Sequence, residues 1–325
     1  MAGNLETANR LGLRALRVAE SKGFDDLRLI NVSRLGSIAL ERGRTQQARK
    51  YLERALQLSD IKPGSRHAGM LVVAPVVFQG PLALALAHLG NYREAIELCD
   101  AALTAAEESG HLFSKVYALM TAGNVYLQQG DFARSAKLLG QSLRLSRTIG
   151  STLLVRQIIS AMGYAFLHIG RTEEGCTLLE DAVGSTTSDP HVGQLPQHLG
   201  WLSFAKLALG KHADAIVIAR RAVALARRNG QRGFEAWGWY ALSRAQHALD
   251  ARGSLRSLER ARVIATGCGL KSLVARTDTG WGASEFEESA NASAAPIPSP
   301  RVHGHLRLVE SPPLKAVAPR TVVTS

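Results

Sequence analysis

Residues 117–145, YALMTAGNVYLQQGDFARSAKLLGQSLRL, decide the fold class of this chain. Gly130 divides the stretch into two halves. In the second half, Ala136, Leu139 and Leu143 follow spacings of three and four, which places them on one face of a helix. A glycine directly after a helix suits a left-handed cap. The stretch therefore predicts two helices joined by a tight turn.

The same punctuation recurs along the chain. Four glycines stand 40 residues apart, at Gly90, Gly130, Gly170 and Gly210. A second series, which includes Gly110, Gly150 and Gly230, falls halfway between them. One helix pair cannot bury its apolar stripe alone, so stacked pairs must share a continuous core. The pattern predicts an all-α, right-handed α-solenoid of about six helix pairs, with a concave and a convex face.

These residues resemble the tetratricopeptide repeat (TPR) motif. Gly123, Tyr126 and Gly130 match the first helix (helix A) and the turn of the motif, and residues 83–103 match its second helix (helix B). The period of 40 exceeds the usual value of about 34, which implies longer helices or turns. The resemblance covers roughly residues 4–282. It implies a scaffold that binds a protein or peptide in its concave groove, without a catalytic centre or a cofactor.

A narrower resemblance rests on the long period and on residues 230–242, GQRGFEAWGWYAL. Both are similar to the TPR arrays at the C-terminal ends of large bacterial signalling proteins. Those proteins carry an upstream class III nucleotide cyclase or a MalT-like ATPase module. This resemblance implies a regulatory or sensory role, with a cyclase or an ATPase signalling protein as the partner.

The two ends of the chain differ from the repeats. Residues 4–22 look like a helix B with no helix A before it, so the array begins in mid-unit. We expect residues 1–282 to form the array. Residues 283–325 are rich in Ala, Ser and Pro and are expected to be a disordered tail. A short docking element at VHGHLRLVE is an alternative for part of that tail.

Several function classes find no support in the sequence. No apolar run reaches membrane-spanning length and the start lacks a signal peptide, so we expect a cytoplasmic protein with no membrane contact. The three cysteines include no CxxC pair, which argues against a disulfide framework or a zinc site. The phosphate-binding loop, HExxH, GxSxG and kinase motifs are absent from the sequence, so we expect no enzymatic activity.

Two columns of side chains, at equivalent places on successive helices A, are expected to line the concave face. The first column holds His88, Gln128 and His168, and the second holds Asn124, Tyr164, Phe204 and Arg244. Arginine and aromatic residues dominate the energetics of interfaces. We expect partner contacts from His88, Asn124, Gln128, Tyr164, His168 and Arg244, with packing between repeats as the alternative, above all for Phe204. The geometry argues against a zinc site in the histidine column, since packed helices lie on the order of 10 Å apart.

The net charge of +12 is concentrated near the end of the array. Residues 200–276 hold 14 Lys and Arg against 4 Asp and Glu. Within them, a candidate basic patch lies on one predicted helix B and consists of Arg220, Arg221, Arg227 and Arg228. The patch fits an acidic partner or a solvated face better than nucleic acid, because no helix-turn-helix or RNP-type motif accompanies it.

Three functions remain open from the sequence. The first is a protein-interaction scaffold. The second is the detached C-terminal region of a nucleotide cyclase or ATPase-type transcription regulator. The third is nucleic-acid binding through the basic late repeats.

Overall fold

The computed structural model describes residues 5–60, 72–184 and 193–279. These residues form helices, most of which are joined by short turns, and no strand occurs among them. In chain order the helices are α1 Leu5–Lys22, α2 Asp25–Glu41, α3 Thr45–Asp60, α4 Ala74–His88, α5 Tyr92–Glu108, α6 Leu112–Gln129, α7 Phe132–Thr148, α8 Thr152–His168, α9 Thr172–Gly184, α10 Leu195–Ala208, α11 His212–Asn229, α12 Arg232–Gln246, α13 Ala251–Cys268 and α14 Lys271–Asp278.

The helices pair in sequence order, and the prediction of an all-α, right-handed solenoid is confirmed. Six helix A and helix B pairs run from α2–α3 to α12–α13 within the described residues, preceded by the single helix α1 and followed by the short α14. Successive helices A pack directly against one another, whereas successive helices B are spread farther apart. Helices A therefore form the inner layer and helices B the outer layer. The predicted tail, residues 283–325, and its boundary at residue 282 lie outside the described residues.

The predicted turn glycines adopt the left-handed conformation. Gly90, Gly130, Gly170 and Gly210 have φ values of 79°, 95°, 80° and 72°. Other residue types rarely adopt this region, which explains why glycine recurs at this spacing. After Gly130, the carboxylate of Asp131 accepts a hydrogen bond from the backbone N–H of Arg134 at 3.0 Å and caps α7.

Small residues let the two helices of each pair approach closely. A methyl group at Gly36 would lie 2.6 Å from Leu52 Cγ, and one at Gly123 would lie 2.7 Å from Leu139 Cγ. Ser135 Oγ donates to the carbonyl oxygen of Gly123 at 2.8 Å, so the contact also carries a hydrogen bond. Serines serve the later pairs in the same way, since Ser203 Oγ donates to the carbonyl oxygen of Ala215 at 2.9 Å. The two helices of a pair are thus so close at these positions that a larger side chain would not fit between them.

The solenoid also makes a contact that the repeat pattern does not predict. Thr45 Oγ1 donates to the carbonyl oxygen of Cys268 at 2.6 Å, although the two residues are 223 positions apart. A methyl group at Gly43 would lie 2.7 Å from Cys268 Sγ and 2.9 Å from the backbone nitrogen of Gly233. The turn of the first helix pair therefore meets the last pair. The α4–α5 turn also contacts the far end of the array, because Leu89 Cδ2 would lie 3.2 Å from a methyl group at Gly269 in the α13–α14 turn.

We call this contact the seam. On one side it consists of the α2–α3 and α4–α5 turns, through Gly43, Thr45 and Leu89. On the other side it consists of the start of α12 and the α13–α14 turn, through Gly233 and residues 268–269. The curvature of six stacked pairs thus brings the two ends of the array together.

The close approach of α8 and α9 predicts a sharp effect of one methyl group. At Gly163, a Cβ would lie 2.9 Å from the carbonyl oxygen of Gly175 and 2.9 Å from Leu179 Cγ. We expect Gly163→Ala to lower the free energy of unfolding by about 1–3 kcal/mol, because the backbone of α9 must move. The matched control is Gly140→Ala in α7, where only Arg144 Nη1 lies near, at 3.9 Å. Urea unfolding followed by circular dichroism should show the control unchanged or slightly more stable. Equal effects of both changes would contradict the account.

The seam predicts that two left-handed turn glycines respond differently to asparagine, which tolerates positive φ. Gly43 and Gly130 have φ values of 74° and 95°, but only Gly43 has neighbours within 4 Å of a Cβ position. We expect Gly43→Asn to cost about 1–3 kcal/mol of stability and to increase the radius of gyration in X-ray scattering, since the ends must separate. Gly130→Asn should cost less and leave the radius unchanged. An unchanged radius in Gly43→Asn would show that the seam does not hold the ends together.

Candidate functional site: two grooves of the solenoid

The inner face of α6 carries a stripe of partly exposed side chains. Tyr117, Asn124 and Gln128 are half-buried, and their spacings of seven and four place them on one side of the helix. Asn124 Nδ2 donates to the carbonyl oxygen of Met120 at 2.9 Å, which fixes the amide. Gln128 Oε1 is buried and accepts no hydrogen bond from the described residues. The stripe therefore presents amide and aromatic side chains that are partly exposed on one side of the helix.

Two of the residues expected to contact a partner lie in the core instead. Tyr164 and His168 are each only 2% exposed. The Tyr164 ring stacks on Trp201 with centroids 5.1 Å apart, and the His168 ring stacks on Phe132 at 3.8 Å. This corrects the expectation from the sequence, because large rings from neighbouring helices cover both side chains. Phe204 is also buried, and its ring centroid lies 6.0 Å from that of Tyr164. Phe204 therefore packs between repeats, which was the alternative to partner contact.

The other expected contacts keep accessible surface. His88 and Arg244 are half-buried, like Asn124 and Gln128. Their roles in binding stay predictions.

Sequence reasoning missed a third column on the same face. Seven residues before the Asn124 column, each helix A from α4 to α12 carries a half-buried side chain, and these are Val77, Tyr117, Gln157, Gln197 and Trp237. Their spacing of 40 residues was the available signal. We define the concave groove by the partly exposed members of the three columns, namely Val77, His88, Tyr117, Asn124, Gln128, Gln157, Gln197, Trp237 and Arg244.

The tryptophans divide between core and surface. Trp201 and Trp239 are buried, as is Tyr240. Trp237 stays partly exposed in the concave groove, and the guanidinium of Arg276 lies 5.8 Å from its ring centroid. A partly exposed Trp beside a cation is typical of binding surfaces.

The cysteines are placed as buried, free thiols. Cys99, Cys176 and Cys268 are all buried, and burial raises the pKa of the Cys99 thiol to about 12. Protonated thiols are poor metal ligands and poor nucleophiles. Among the described residues, no group of three or more potential metal ligands comes together.

A second groove lies on the outer face, between α11 and α13. Two adjoining cavities of about 290 and 240 Å3 share Trp239 and Arg260. We define the arginine groove by residues that line them, namely Arg220, Arg227, Arg232, Glu235, Trp239, Leu242, Gln246, Arg256, Ser257, Glu259, Arg260 and Val263. The predicted basic patch is thereby divided. Arg220 and Arg227 line the groove, whereas Arg221 and Arg228 are exposed on α11 outside it.

A buried carboxylate organises one end of the arginine groove. Glu235 is 1% exposed and forms ion pairs with Arg227 at 2.8 Å and with Arg232 at 2.5 Å. Trp239 Nε1 also donates to Glu235 Oε1 at 3.3 Å. The two guanidinium groups and the indole are therefore held in fixed relative positions.

Comparison with known sequences agrees with this architecture. Tetratricopeptide repeat family models match residues 33–61 and 78–148. The chain therefore contains tetratricopeptide repeats, and its other helix pairs are built in the same way. No curated protein sequence matches it at a significant level.

Solved structures of low sequence identity share the fold. NprR in complex with its cognate peptide NprX has a TM-score of 0.61 at 16% identity, covering 84% of this chain and 77% of that chain. A Rap conjugation gene regulator of the plasmid pLS20, in complex with a Phr peptide, has a TM-score of 0.57 at 13% identity, with coverages of 80% and 75%. A signal transduction ATPase with numerous domains and a tetratricopeptide repeat sensor, from Pyrococcus horikoshii, has a TM-score of 0.50 at 15% identity, with coverages of 85% and 42%.

Each of the described helices is too short or too polar to cross a bilayer.

A buried histidine behind the inner face makes the stability depend on pH. His198 is 1% exposed, and burial together with the charge of Arg156 lowers its pKa to about 3. The unfolded chain therefore binds a proton at this residue at higher pH than the folded chain does, so stability is complete above the unfolded pKa of about 6.5 and falls below it. We expect a loss of about 2 kcal/mol between pH 7 and pH 5 from this residue.

The test replaces His198 with the residue that the equivalent place of α4 carries, which is Phe78. Urea unfolding of His198→Phe at pH 7 and pH 5 should show a smaller loss on acidification than the unchanged chain. The same pH dependence in both proteins would assign the effect to other groups.

Proposed function

We propose that this protein is a non-catalytic regulatory scaffold whose concave groove binds an extended peptide or an extended segment of a partner protein. The observation that carries the proposal is the set of partly exposed amide and aromatic side chains that successive helices A contribute to the concave groove. Tyr117, Asn124, Gln128 and Trp237 are its central members.

The chemistry of the stripe suits a peptide main chain. Amide side chains offer both donors and acceptors, and can pair with backbone C=O and N–H groups whatever the peptide sequence. The partly exposed amides of Gln157 and Gln197 are groups of this kind.

The repeat spacing suits an extended ligand as well. Neighbouring inner helices lie on the order of 10 Å apart, and an extended peptide advances about 3.3 Å per residue. Side chains at equivalent places on successive helices, such as Tyr117, Gln157 and Gln197, are therefore spaced to meet about every third peptide residue. Tyr117 and Trp237 add apolar contact area at little cost in side-chain entropy.

The solved relatives support the same class of ligand. NprR and the Rap conjugation regulator share the fold and were solved with peptides bound. Peptide binding by this chain is proposed because of the side chains in its groove, since its sequence identity to these structures is low.

The scaffold is proposed to act in bacterial signalling, as a cytoplasmic sensory module that regulates a nucleotide cyclase or an ATPase-type regulator. The resemblance of residues 230–242 to the repeat arrays of such signalling proteins supports this role. The shared fold with the repeat sensor of a signal transduction ATPase supports this candidate. The second candidate is that the module is the detached C-terminal region of such a cyclase or regulator, and not a separate protein that binds to it.

A random peptide library displayed on phage tests the groove. We expect selection against the full chain to enrich peptides whose binding depends on α6, measured by fluorescence polarisation with the strongest enriched peptide. Asn124→Ala and Gln128→Ala should each weaken binding about tenfold, which corresponds to one lost hydrogen bond of about 1.4 kcal/mol. Unfolding in urea should stay unchanged.

Gln129→Ala is the matched control, because Gln129 is exposed and adjoins the stripe on the same helix. It should bind like the unchanged chain. If the enriched peptides bind all three variants equally, the concave groove is not the binding site. Tyr164→Ala is unsuitable as a test, since the loss of a buried ring would destabilise the core.

A further inference from the structure

We propose that the arginine groove is a second docking site, which holds an acidic segment of a partner protein on the convex face. This inference does not rest on the concave groove, because the two surfaces lie on opposite layers of the solenoid. It rests on the cavities between α11 and α13 and on the charges that line them.

The groove exists because two outer helices flank one inner helix without closing over it. Trp239 and Leu242 of α12 lie at the floor, and α11 and α13 form the walls. Val223 of α11 packs tightly on α12, since a methyl group at Gly238 would lie 3.0 Å from Val223 Cγ2. The floor is therefore closely packed, and the space above it is open to a side chain from another molecule.

The positive charges in the groove are only partly balanced. Glu235 pairs with Arg227 and Arg232. Arg220, Arg256 and Arg260, in contrast, have no carboxylate within salt-bridge distance in the described part of the chain. Glu259 also lines the groove, but Arg262 engages it at 3.1 Å. Three guanidinium groups are thus available to carboxylates of a partner.

The geometry of Arg260 favours a defined interaction over a diffuse one. Its guanidinium carbon lies 4.7 Å from the Trp239 ring centroid, so the ring restrains the side chain. A planar guanidinium held in this way can bind a carboxylate through two parallel hydrogen bonds. Val263, which is 60% exposed at the rim, offers an apolar contact beside it. The matching occupant is an acidic segment that also carries apolar side chains.

Nucleic acid fits the same groove less well. A nucleic-acid site typically neutralises about 6–10 phosphates, whereas the groove provides three unbalanced guanidinium groups. A peptide can place its carboxylates against the arginines and its apolar residues against Val263 and Trp239.

The test uses the full chain and a defined probe, a short fluorescein-labelled peptide of glutamates interrupted by leucine and phenylalanine. We expect saturable binding by fluorescence polarisation, which weakens as salt rises. A peptide with glutamine in place of glutamate should not bind. The double variant Arg256→Ala with Arg260→Ala should weaken binding about tenfold.

The matched control is Arg228→Ala with Arg252→Ala, which removes the same charge from exposed positions of α11 and α13 outside the groove. It should bind the peptide within about twofold of the unchanged chain. Equal loss in both double variants would show a general charge effect and overturn the site. Preferential binding of a labelled duplex or single-stranded oligonucleotide that the peptide cannot displace would overturn the assignment to an acidic protein segment.

Discussion

The close approach of the two helices within each pair is the constraint on which the rest of the structure depends. At Gly36, Gly123 and Gly163, the partner helix lies so near that a single methyl group would clash. This contact sets the distance between the helices of a pair and thereby the shape of the unit that is stacked. Stacking of these units places helices A in the inner layer and leaves helices B farther apart.

The sequence predicted the turns and the helices correctly, because both depend on residues that are close together in the chain. The turn glycines could be found from the sequence because positive φ is a property of one residue, and the helices could be found because their apolar spacing is short-range. Tyr164 and His168 were misplaced because their burial depends on Trp201 and Phe132, which come from other helices. A column read at fixed spacing shows which residues share a face. It does not show how large the neighbouring side chains are.

Features that arise from several repeats were beyond reach of the sequence. The arginine groove needs α11 and α13 to stand apart over α12, so the partnership of Arg220 with Arg256 and Arg260 follows from tertiary spacing and not from the α11 run alone. The inner and outer layers consequently differ in chemistry. The concave groove is rich in amides and aromatic rings, while the arginine groove is strongly cationic. A scaffold with two such surfaces can hold two different molecules at once and control their distance.

The seam has a consequence for how such a protein can evolve. Open solenoids gain or lose repeats easily, because each unit contacts only its neighbours and a new end resembles the old one. Here Thr45 meets Cys268 across the whole array, so adding or removing one pair would carry these partners past each other. Duplication of a repeat would therefore break a contact instead of lengthening the molecule. The seam therefore fits only one number of repeats. A mutation that changes this number disrupts a contact far from the place where the mutation occurs, and selection can act on it there.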